Sequence, residues 1–225
     1  MGVHCDSIEQ QIDSCVANGK LCRNDEIEIL AAVCKGVDIT EIFSPERVTK
    51  LCKKYGLIAR DSFDLRDGYV LADERTQARV IDRINRTNPT VVIGSPPCTL
   101  FSRLQQLNLH VHGPEWAAKF EVEKKKAAAH IVFCLKVFQL QRARGAYFLF
   151  EHPESADSWN LPELVELMQL DGVMTQVADQ CMYGLRTHSD VKGESLPAKK
   201  PTRFMSNSWC VLQELSARCD KPHVH

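Results

Sequence analysis

The sequence has no apolar run approaching the roughly 20 residues that cross a bilayer, and no apolar export core near its amino terminus. Both absences predict a soluble, intracellular protein. It lacks a surplus of either charge, with 28 Lys and Arg against 29 Asp and Glu. Global electrostatics therefore neither recruits nor repels nucleic acid, which leaves only local basic groups such as Lys124, Lys125, Lys126, Arg142, Arg144, Lys199, Lys200 and Arg203. Internal repeats and low-complexity tracts are also missing, so a solenoid or linker-like chain is excluded. The ten cysteines are scattered, without the spacing of a small secreted disulfide scaffold, and are expected to be reduced thiols. What remains is globular composition, 44% hydrophobic and 25% charged over 225 residues, which suits one domain.

The pattern begins with two short helices, over 6–19 and 24–36, the second capped by Asn24 and Asp25 and stopped by Gly36. Strand and helix then alternate. Val37 to Phe43 reads as a strand, and Arg47 to Tyr55 as a helix opened by Pro45. Leu57 to Leu65 is the next strand, with Asp61, Asp64 and Asp67 at its end, followed by a helix from Glu74 to Arg86. Val91, Val92 and Ile93 form a third strand, Glu115 to Arg144 one long helix, and Ala146 to Phe150 a fourth strand. A helix from Pro162 to Leu170 leads to a strand near Val173 to Val177. Tyr183 to Lys200, polar and containing Gly184, Gly193 and Pro197, reads as a loop. A strand at Arg203 to Met205 and a helix near Val211 to Ala217 complete the chain. The alternation predicts an α/β fold of Rossmann-like type, a mostly parallel sheet with helices on both faces in an α/β/α sandwich. It divides the chain into a helical extension (1–36), a catalytic domain (37–210) and a tail (211–225).

Chemistry concentrates after the third strand. Gly94-Ser95-Pro96-Pro97-Cys98-Thr99-Leu100-Phe101-Ser102 follows an apolar run that reads as a strand buried on both faces. Two prolines in succession cannot donate to a ladder and fix their own φ, so they hold Cys98 rigidly beyond the carboxyl end of the strand. In an open α/β sheet that edge binds ligands, and a thiol presented there can attack an electrophilic carbon. Glu151 ends the neighbouring strand, where a carboxylate leaving an apolar run can serve as proton donor or hydrogen-bond partner.

These residues resemble a known family. Pro96-Pro97-Cys98, with Phe101-Ser102 after it, resembles the nucleophile motif of the DNA cytosine-5 methyltransferases. Phe150-Glu151 before His152 is similar to that family's Glu-Asn-Val motif, with His-Pro in place of Asn-Val. Ala178-Asp179, Tyr183-Gly184 and Thr202-Arg203-Phe204 resemble its later Tyr-Gly and arginine motif, and Glu41-Ile42-Phe43-Ser44 the start of its cofactor motif. The resemblance implies a Rossmann-like enzyme using S-adenosylmethionine. Cys98 would add to C6 of cytosine, Glu151 would hold N3 and the amino group, and Arg203 would bind the carbonyl side or a phosphate. Glu41, Phe43, Ser44, Asp64, Ser95 and Pro96 would hold the cofactor, with Asp61 and Asp67 as rivals of Asp64 for the ribose hydroxyls. The substrate would be DNA, single-stranded or with the base flipped from the duplex.

The sequence also departs from that family. Pro45, Glu46 and Arg47 stand where the family carries glycines, and residues 65–90 show no further strand with an acid of its own. A large recognition region is missing after Arg203, so selectivity would be minimal or come from a partner subunit or a second copy. The altered cofactor turn keeps a second reading open, a methyltransferase-like module that binds or regulates without catalysis. Thymidylate synthases share the Pro-Pro-Cys nucleophile, but their fold lacks the strand-helix alternation seen before Cys98. In the tail, Cys219, His223 and His225 have the spacing of zinc ligands, with Cys210 or Cys181 as a possible fourth. His110 and His112 follow the Cys98 loop as weaker candidates for substrate contact.

Overall fold

The computed structural model describes residues 36–103, 105, 108, 111–188, 195–221 and 223–225. The helices expected over 6–19 and 24–36, His110 and Gly193 lie outside the described residues, Gly36 apart.

Six strands form one sheet in the order β2-β1-β3-β4-β8-β5. These are β1 (Ile39–Ile42), β2 (Ala59–Phe63), β3 (Val91–Gly94), β4 (Tyr147–Pro153), β5 (Met174–Asp179) and β8 (Pro201–Ser206). The pairs β1–β2, β1–β3 and β3–β4 are parallel, and β8 runs antiparallel to both β4 and β5. The fold is thus α/β with a mostly parallel sheet, as the alternation predicts, with one reversed strand that it does not predict. The reversal has a simple cause. Parallel neighbours need a long crossover, usually an α-helix, and no α-helix lies between β5 and β8 among the described residues. That interval, expected to be a loop, folds in part as a hairpin of β6 (Arg186–His188) and β7 (Ser195–Pro197).

The α-helices bounded among the described residues are α1 (Val48–Cys52), α2 (Glu74–Thr87), α3 (Pro114–Ala143), α4 (Pro162–Met168) and α5 (Trp209–Glu214). Asp73 caps α2 by accepting from Thr76 N at 2.8 Å, and Thr76, Val80 and Ile84, four apart, are its buried stripe. Helix α3 begins with Pro114 at a position where the missing N–H costs nothing. Its later half packs on the sheet. Phe138 stacks on Phe148 with centroids 4.6 Å apart and meets Phe150 edge-on at 6.0 Å. Gly94 makes this approach possible, because a Cβ there would lie 2.7 Å from Phe138 Cζ and 3.2 Å from Cys134 Sγ. Gln141, fully buried, donates to the carbonyls of Pro89 and Tyr147 and so fixes where β3 and β4 start.

Two boundaries differ from expectation. Strand β4 continues through Glu151 and His152 to Pro153, because β8 pairs along it. Glu151 is therefore within a strand. Helix α5 straddles the expected border at residue 210 and packs on β5 and β8. Asp179 N also donates to Ala217 O at 3.0 Å, which joins the tail to the sheet. No helix among the described residues is long and apolar enough to cross a membrane.

Candidate functional site

Because β1, β2 and β3 are parallel, their carboxyl ends share one edge, where Phe43, Asp64 and Pro97 follow the three strands. All three line a cavity of about 170 Å³, closed by Leu65, Tyr69 to Ala72 and by His130 from α3. Phe43 holds φ at 55°, a conformation bulky residues rarely adopt, and its ring lies 5.0 Å from that of His130. His130 Nδ1 is buried with no hydrogen-bond partner among the described residues, and burial lowers the pKa of the ring. Asp64 accepts from Arg66 N at 3.0 Å and caps the turn Leu65–Asp67 at the lip of the cavity. Of its two rivals, Asp61 is paired with Arg83 at 3.0 Å and Asp67 is exposed within that turn; neither lines the cavity.

Glu41 and Ser44 are placed differently from the sequence expectation. Glu41 is fully buried, and its carboxylate accepts from Ser44 Oγ (2.9 Å), Arg47 N (3.2 Å), Thr49 N (2.8 Å) and Thr49 Oγ1 (2.7 Å). It organises the turn from β1 into α1 and is not among the residues lining the cavity. Its side chain thus occupies the N–H groups of Arg47 and Thr49, which are closed to an anionic ligand.

The loop that carries Cys98 is pinned where it leaves β3. Ser95 N donates to Ile42 O at 3.2 Å, and the buried Pro96 offers its carbonyl to His152 Nε2 at 3.0 Å. Past the prolines, Cys98 opens the turn Thr99–Phe101, which the fully buried Phe101 anchors, and its free thiol is half-buried. His152 was not foreseen in this role. Its only signal in the sequence is a histidine next to Glu151 at the end of an apolar run.

Glu151 lies one strand over from the loop, since Gly94 pairs with Phe150. Its Oε1 is 3.4 Å from Lys200 Nζ and 3.5 Å from Gln180 Nε2, and Gln180 also donates to Thr202 Oγ1 at 2.9 Å. Gln180 reaches into an open cleft of about 450 Å³ with Tyr183 and Phe204. Arg203 is not gathered with Glu151. Residues directly opposite in a ladder share a face. Glu151 faces Phe204, whereas Arg203 faces His152 and lies with its guanidinium 5.0 Å from the Trp159 ring. The cation beside Glu151 is Lys200.

On α3, Lys126 pairs with Glu123 at 2.7 Å, and Lys124 lies 3.9 Å from Asp157. Much of the basic run is thus neutralised locally. His112 is exposed against Trp116, with ring centroids 5.1 Å apart.

In the tail, Cys219, His223 and His225 come together with Cys181, which follows Gln180 in the turn Gln180–Tyr183. Cys210, the other candidate, sits exposed on α5 outside this group. Comparison with family models, curated proteins and solved structures returned no match for this chain, so its chemistry rests on this geometry.

Proposed function

We propose that the chain is a Rossmann-like, S-adenosylmethionine-dependent methyltransferase acting at C5 of cytosine in DNA, with Cys98 as the nucleophile. One observation carries this reading: Pro97, adjacent to Cys98, forms a wall of the cavity that Phe43 and Asp64 line from the neighbouring strand ends. Nucleophile and candidate cofactor cavity share one rigid loop at the ligand-binding edge of the sheet.

The residues around the cavity suit the nucleoside part of the cofactor. Tyr69, Leu71 and Pro97 offer apolar surface for a purine, and Asp64 at the lip is an acceptor for ribose hydroxyls. S-adenosylmethionine, when bound, supplies a methyl group on a cationic sulfur. C5 of cytosine is a poor nucleophile. The Cys98 thiolate overcomes this by bonding to C6, which moves electron density to C5. Glu151 serves the same step by donating a hydrogen bond or proton at N3, neutralising charge that the addition places on the ring. C5 would take the methyl group with loss of S-adenosylhomocysteine, and a solvent water would then accept the C5 proton as the C6–S bond breaks and its electron pair returns to Cys98 as thiolate. The target base must leave the duplex to reach the thiol.

Two observations favour the second reading, a module that binds without catalysis. The cavity, at about 170 Å³, is smaller than the roughly 300–1,000 Å³ of small-molecule sites, and Glu41 is fully engaged within its own turn. Calorimetric titration with S-adenosylmethionine and S-adenosylhomocysteine, paired with trapping on DNA containing 5-fluorocytosine, separates the two. Binding together with an adduct that Cys98→Ala cannot form supports the enzyme. No binding and no adduct leaves the binding module.

A further inference from the structure

We propose that Cys181, Cys219, His223 and His225 bind one zinc ion in a closed structural site. Their donor atoms all lie within 4.8 Å of one another. Cys219 Sγ is 3.7 Å from His223 Nε2 and 3.3 Å from His225 Nε2. With bonds of about 2.3 Å to sulfur and about 2.0 Å to nitrogen, a tetrahedral ion spaces sulfur from nitrogen by about 3.5 Å, and the two observed separations bracket that value.

The surroundings are those of a ligand shell. His225 Nδ1 donates to the Pro197 carbonyl at 3.1 Å. A carbonyl can only accept, so this bond fixes the tautomer and leaves the Nε2 lone pair facing Cys219, the usual second-sphere arrangement of a ligating histidine. Lys221 N donates to Cys219 Sγ at 3.4 Å, a hydrogen bond that stabilises charge on the sulfur. Behind it, the buried Asp179 accepts from Cys219 N at 2.8 Å and meets Arg218 Nε at 3.3 Å.

Two thiolates and two neutral imidazoles select zinc among the divalent metals by ligand softness and tetrahedral shape. Binding releases the two thiol protons to solvent, and the resulting centre carries no net charge, which suits its partly buried place. Four protein ligands leave no open position, so the ion has a structural role. It would clamp three separate segments: the turn after β5 through Cys181, the tail through Cys219 and His223, and β7 through His225 and Pro197. This inference does not depend on the methyltransferase reading.

The test is metal analysis of the full chain purified from zinc-supplemented culture, followed by exchange into Co(II). One zinc per chain is expected, with the visible absorption of tetrahedral cobalt and a thiolate charge-transfer band. Cys181→Ser should weaken that band to about half, since its intensity counts thiolates, and Cys210→Ser should leave it unchanged. Chelation of the wild-type chain should lower its melting temperature and zinc should restore it, a readout that needs no variant to fold. A wild-type chain without zinc and colourless in cobalt would overturn the proposal. So would full zinc content in the Cys181→Ser/Cys219→Ser double variant, or a Cys181–Cys219 disulfide in the freshly purified protein.

Discussion

His152 donates from Nε2 to the Pro96 carbonyl at 3.0 Å, and its Nδ1 lies 2.7 Å from Ser158 Oγ. Because Pro96 can only accept, the ring carries its proton on Nε2 and Ser158 donates to Nδ1. One imidazole thereby joins the loop that presents Cys98 to the strand that presents Glu151 and to the turn Asp157–Asn160. Phe150 stacks on it at 5.0 Å, and Trp159 meets it edge-on at 6.5 Å.

Burial lowers the pKa of His152 to about 4, with Lys200 as a lesser contributor and the Pro96 hydrogen bond acting in the opposite direction. Between pH 6.5 and 4 the unfolded chain binds a proton that the folded chain does not, so stability is lost as pH falls through this window and is complete above it. The full difference corresponds to about 3 kcal/mol, and about 2 kcal/mol of it is lost between pH 7 and pH 5. Urea unfolding at the two pH values checks this. His152→Asn should be less stable at pH 7 and should lose little further on acidification; an unchanged pH slope in the variant would refute the assignment.

Gly94→Ala is expected to destabilise the fold by about 1–3 kcal/mol, because its Cβ would meet Phe138 Cζ at 2.7 Å. Phe138→Leu removes the obstructing ring edge. The double variant should therefore lose less than the sum of the two single losses, and a double-mutant cycle of denaturant midpoints measures the difference. Strict additivity would mean that the loss at Gly94 has another origin.

The core elements were legible because their signals are local. The apolar run Val91 to Ile93, the helical spacing of Val80 and Ile84 and the length of α3 each report on a single element, and each lies where its pattern puts it. What depends on distant pairing was not legible. The reversal of β8, the extension of β4 to Pro153 and the opposite faces of Glu151 and Arg203 follow from a ladder between segments far apart in the sequence, which no periodicity records. Glu41 shows the same limit, since its sequence resembles the start of a cofactor motif while its carboxylate serves the backbone of its own turn. Cys181 as the partner of Cys219 was one of two candidates until the fold removed Cys210.

Glu41→Ala should cost on the order of 3 kcal/mol, since it leaves Thr49 N and Arg47 N without the charged acceptor they share. Ser44→Ala, which removes one donor to the same carboxylate, should cost about 1 kcal/mol. Guanidinium melts of both variants give the comparison. Equal losses would contradict the view that Glu41 is the organising group of the turn.

Glu151 and Arg203 offer the sharpest separation of roles. Glu151→Gln keeps the size of the side chain but removes the group that can supply a proton, so the rate of adduct formation on 5-fluorocytosine DNA should fall by about 10²–10⁴-fold with the melting temperature nearly unchanged. Arg203 lies on the other face of the sheet, over Trp159. Arg203→Ala should lose about 1 kcal/mol of stability with its cation–π contact and change the adduct rate far less than the Glu151 substitution. Single-turnover trapping and thermal melts on the two variants measure both quantities. If Arg203→Ala matched Glu151→Gln in rate while keeping its stability, Arg203 would have to turn from Trp159 to the substrate, and the face assigned to it from the ladder would not hold during the reaction.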